Sequence, residues 1–114
     1  MAERTVRQMI RAAQGEILSG DLLPDRGADL LAQLTALIGN CNDAELDAAL
    51  TYKRVYLGYL DSEEAASRAK IRAECSPEYR VWRETVNTKE LCVEMVRSLK
   101  RFLQTKSDEM RLTR

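Results

Sequence analysis

Cys75-Ser76-Pro77-Glu78-Tyr79 is the stretch on which the fold turns. A serine oxygen can accept a hydrogen bond from a backbone N–H of the first helical turn. Proline suits the first helical position, where its missing N–H costs nothing. The residue before a proline resists helical geometry, so any preceding helix must stop there. The sequence therefore predicts a sharp break between two helices, and so short a connection folds them antiparallel.

Upstream of the break, the pattern predicts one long helix over 43–74. Leu46, Leu50, Leu57, Leu60 and Ile71 form one side, while Tyr52, Val55, Tyr59, Ala66 and Ala73 lie well around the circumference. That apolar surface is wider than a two-helix seam requires. Ala65, Ala66, Ala69 and Ala73 replace large side chains beyond residue 61, and Glu64 and Arg68 stand at favourable i,i+4 spacing. Downstream, a helix is expected over 77–110, continuous or mildly bent at Asn87-Thr88. Its stripe of Leu91, Met95, Leu99, Phe102 and Leu103 is widened by Cys92 and Val96.

Two shorter helices precede the hairpin. The first, over 4–19, carries Val6, Met9, Ile10, Ala13, Ile17 and Leu18 at three- and four-residue steps and ends at Gly20-Asp21. The second spans 25–38. Gly39-Asn40 suits a helix end, and Asn42 with Glu45 suits the capping of the next helix. The expected fold is a single all-α domain over 1–114, with two short N-terminal helices (4–40) packed on a long antiparallel hairpin (43–74 and 77–110). A helix over 43–74 is ~48 Å long at ~1.5 Å per residue. The short helices then cover only the hairpin base, and the tip around 66–85 projects or packs against another chain.

With 114 residues, the chain suits one domain. No apolar run approaches the ~20 residues of a membrane span, and the N-terminal stretch lacks the apolar core of a secretory signal. Net charge is zero, but residues 1–65 sum to −5 and residues 66–114 to +5. A dipole of this kind can orient association with a partner or a second copy. Cys41, Cys75 and Cys92 match no zinc-binding spacing, and there is no histidine. Reduced structural thiols and a cytoplasmic location are the expectation.

Little in the chain points to catalysis. Asp43 and Asp47, and Glu90 and Glu94, lie one turn apart, but no histidine or further carboxylate stands at metal-binding spacing. Glu63 and Glu64 are adjacent and share no helix face. Cys75 has no histidine base to pair with, and no glycine-rich phosphate loop occurs. No enzyme activity, metal or cofactor is expected.

Contact is the better supported class of function. Tyr52, Tyr59, Tyr79, Trp82, Leu91, Met95, Leu99 and Phe102 are the candidate protein interface, with a homo-oligomer the leading form. The alternative is nucleic-acid binding by Arg68, Arg72, Arg80 and Arg83 at the hairpin tip, where Tyr79 and Trp82 could stack on bases. Glu74, Glu78 and Glu84 interrupt that basic surface, which weighs against it.

The short N-terminal helices, the segment KRVYLGYLD at 53–61 and the turn CSPEYRVW at 75–82 give the chain its general plan. That plan resembles small helical proteins encoded by bacteriophages and prophages. The resemblance implies an assembly or adaptor role, or inhibition of a host protein, in the host-cell cytoplasm or the virion. It assigns no role to any single residue.

Overall fold

The computed structural model describes residues 5–62 and 65–112. Among these, the chain forms α1 (Val6–Leu18), α2 (Pro24–Asp61), α3 (Ala66–Glu74) and α4 (Pro77–Leu112), and no strand. None of the helices is long and apolar enough to cross a membrane. The chain divides into two compact units, one made of the residues up to Asn40 and from Lys89 onward, the other of Cys41–Thr88.

In the first unit, Thr5 caps α1: its Oγ1 accepts from Gln8 N at 3.1 Å, and Thr5 N donates to Gln8 Oε1 at 3.0 Å. Two orphan donors are thereby satisfied reciprocally. Ser19 and Gly20 end the helix, Gly20 with φ +80°, a geometry that disfavours a Cβ. Ile10 and Ala13 of α1, Leu30 and Leu34 of α2, and Cys92, Met95, Val96 and Leu99 of α4 are buried. The Cys92 thiol donates to the Leu34 carbonyl at 3.3 Å. Gly27 permits a close approach, because a Cβ there would lie 3.2 Å from Phe102 Cε1. Arg26 clasps Glu16 with two hydrogen bonds of 2.9 and 2.8 Å, tying the end of α1 to the start of α2.

The second unit is built by the C-terminal part of α2, by α3 and by the start of α4. Ser76 works at both sides of the turn: its Oγ accepts from Tyr79 N at 3.2 Å and donates to the Ala73 carbonyl. It thus caps α4 while satisfying a carbonyl at the end of α3. Pro77 opens α4, which runs unbroken through Asn87-Thr88. There the Thr88 hydroxyl donates back to the Glu84 carbonyl at 2.8 Å, so no new helix starts at Asn87.

Two expectations are corrected. First, the separate helices over 25–38 and 43–74 do not exist, because Gly39, Asn40 and Asn42 lie inside α2. Buried Leu30, Leu34, Cys41, Ala48 and Tyr52 keep one helical register across the junction. Holding that register outweighs the ~1 kcal/mol a helical glycine costs relative to alanine. Glu45 accordingly sits within α2 and caps nothing.

Second, the helix expected over 43–74 is interrupted. α2 ends at Asp61, the Ser62 hydroxyl donates to the Tyr59 carbonyl at 2.8 Å, and Ala65 is extended. Asp61 stands at the negative end of the α2 dipole, where an acidic group is unfavourable. Glu63, Glu64 and the expected Glu64–Arg68 pair lie outside the described residues.

In α3 the alanine-lined face is covered. Ala69 and Ala73 are buried within the second unit. Val55 and Tyr59 of α2 line one cleft with Ile71 and Cys75, which places α3 beside α2.

Candidate protein-interaction site

Tyr52 is the hub of an aromatic cluster in the second unit. Its ring stacks on Trp82 at 5.2 Å with planes 11° apart, and it meets Tyr79 at 5.1 Å and Tyr56 at 6.5 Å. Tyr79 and Trp82 complete the group edge-on at 5.8 Å. Burial pushes the Tyr52 phenol pKa up, and the Glu74 carboxylate adds to the shift. A buried neutral phenol among rings is an arrangement for packing rather than proton transfer.

The eight proposed interface residues therefore separate into two groups. Tyr52, Tyr59, Tyr79 and Trp82 belong to the second unit, and Leu91, Met95, Leu99 and Phe102 to the first. Tyr52, Met95 and Leu99 are buried, while the other five are half-buried. Of the four arginines in the nucleic-acid reading, Arg80 pairs with Glu84 at 3.3 Å and Arg83 lies over the Trp82 ring at 5.8 Å. Arg68 and Arg72 are exposed on α3. Arg72 shares its cleft with the Glu78 side chain, so acid and base are interleaved there.

The free apolar surface of the second unit lies elsewhere. Leu46, Leu50 and Leu57 of α2 are 61%, 46% and 56% exposed, and Leu60 is half-buried. At ~100° per residue they fall on the side of α2 roughly opposite Ala48, Tyr52, Val55 and Tyr59. One side of this helix thus closes the unit, and the other offers leucine to solvent. Ile71, expected on the leucine side, is carried off it by the break after Asp61.

The sequence did contain a signal for this face. Lys53 sits in the middle of the stripe, between Leu50 and Leu57. A lysine there marks a surface in contact with water rather than a domain interior.

Other features offer less. An apolar cleft of about 430 Å³ in the first unit is lined by Met9, Ala13, Leu30 and Leu37, with the Glu16–Arg26 pair at its edge. That pair holds the Glu16 carboxyl below its usual pKa. The three cysteines form no disulfide, and Cys75 alone of them is exposed. Among the described residues no three cysteine, aspartate or glutamate side chains gather in a metal-binding group. The chain matches no family model, no curated protein and no solved structure.

Proposed function

We propose that the chain is a non-enzymatic helical module that acts by protein contact, and that its docking face is Leu46, Leu50, Leu57 and Leu60 of α2. The observation that supports this most directly is the doubly apolar character of α2, whose outer leucines stay exposed after the inner side has been used. Contiguous exposed leucine is costly in water and is characteristic of interaction surfaces. The face replaces the aromatic residues as the preferred contact surface, because the rings are engaged with one another. The phage-like plan of the chain suits an assembly, adaptor or inhibitor role. Nucleic-acid binding has less support, given the Arg80–Glu84 pair and the placement of Arg83 on Trp82.

Site-specific photocrosslinking in cells tests the reading. A photoreactive residue at Leu50 or Leu57 is expected to give discrete protein adducts, while one at exposed Thr35 or Thr105 gives none. Equal labelling from all four positions, or none from Leu50 and Leu57, rejects the face.

A further inference from the structure

We propose that the occupant of the leucine face is a second copy of this chain, laid antiparallel across it about a two-fold axis. This inference rests on the docking role assigned to the face above. Its first support is spacing. Leu46, Leu50, Lys53, Leu57 and Leu60 follow alternating steps of four and three residues, the a/d repeat of paired helices. The broader face of a helix buried in a globular core has a different pattern.

The second support is charge. Asp47 and Arg54 are both exposed and stand seven residues apart along one edge of the seam. An antiparallel copy centred between Thr51 and Tyr52 sets Leu46 against Leu57 of the second copy, and Leu50 against its Lys53. Asp47 then faces Arg54 of the second copy, and the two-fold axis repeats the pair. Moving the copies by one heptad one way pairs Arg54 with Arg54; moving them the other way pairs Asp47 with Asp47 but sets Asp43 against Lys53. A parallel, in-register arrangement places Lys53 against Lys53. Like charges in contact disfavour the parallel arrangement and the Arg54 shift, and of the two antiparallel registers left only the first makes both Asp47–Arg54 pairs. In that register the Lys53 stem lies along leucine while its ammonium reaches water at the edge.

Sedimentation equilibrium of the full chain tests the proposal. The wild type is expected to be a reversible monomer–dimer system. Leu57→Glu should weaken the dimer by about a hundredfold or more, because it sets a carboxylate against Leu46 of the second copy in the seam. Asp47→Arg and Arg54→Asp should each weaken it by about tenfold, converting two attractive pairs into two repulsive ones. Both changes in one chain should restore the affinity to within about threefold. An equimolar mixture of the two single variants should form a heterodimer, because both of its edge pairs are then complementary. All these positions are exposed, and unchanged circular dichroism verifies that each variant keeps its helices.

A wild-type chain that stays monomeric at ~1 mM overturns the proposal. If photoreactive residues at Leu50 and Leu57 still yield adducts with another protein, the docking face survives that outcome and only the second copy is lost. A dimer sensitive to Leu57→Glu but indifferent to the charge exchange overturns the antiparallel register. A dimer indifferent to Leu57→Glu overturns the second copy as occupant, and crosslinking from Leu50 and Leu57 then decides the docking face by itself.

Discussion

Tyr52 and Trp82 lie face to face, their planes 11° apart at 5.2 Å, and in doing so join α2 to α4 within the second unit. Trp82→Ala removes this stack and the edge contact to Tyr79. The loss should be about 2–4 kcal/mol, at the lower end of what buried aromatic truncations cost because Trp82 is only half-buried. Chemical denaturation of both single variants and the double variant with Tyr52→Ala should give a coupling of about 0.5–1.5 kcal/mol. Full additivity would show that the two rings merely lie near each other.

The same tyrosine should govern alkaline stability. Its phenol ionises above the ordinary value of 10.0, chiefly because burial disfavours the anion. A folded pKa above the unfolded one contributes stability that is complete below the unfolded value. That stability is lost as pH rises through the folded value. Tyrosinate absorbance should therefore show one late-titrating group in the native protein. Tyr52→Phe should remove that component and flatten the decline in stability above pH 10.

Gly39→Ala tests the continuity of α2. The position is helical, and among the described residues nothing lies within 4 Å of an added Cβ. Alanine should stabilise the protein by about 0.5–1 kcal/mol in thermal melts. If residue 39 instead ended a helix in the left-handed conformation, the same change would destabilise. Gly20, with φ +80°, supplies that contrast, and Gly20→Ala should cost about 1 kcal/mol.

Ser76→Ala removes an acceptor for Tyr79 N and a donor to the Ala73 carbonyl. A cost of about 1–2 kcal/mol is expected, as for other lost N-caps. Ser76→Asp should recover the acceptor but not the donor, and so fall between the two in denaturant midpoint.

These residues show how far local sequence carries the fold. The Ser76-Pro77 start was readable because its causes are local: a cap and a proline within four residues. The continuity of α2 was not, because Gly39-Asn40 is a stop signal in isolation. It is overruled by burial of Cys41, Ala48 and Tyr52 farther along the chain. The break after Asp61 has no proline or glycine to announce it. It separates Ile71 from the leucines and makes α3 a separate helix. The docking face was half readable. The stripe of leucines stood out, but periodicity alone cannot say which of two apolar sides of a helix is covered, and only Lys53 hinted at the answer.

The placement of the cysteines has a practical consequence. Cys75 is exposed, whereas Cys92, which belongs to the first unit, and Cys41, which belongs to the second, are buried. A thiol reagent should modify Cys75 at once in the native chain and the other two only on opening. Each unit thus carries one buried thiol, and the separate labelling rates of Cys41 and Cys92 time how often each site opens to solvent, without a single substitution.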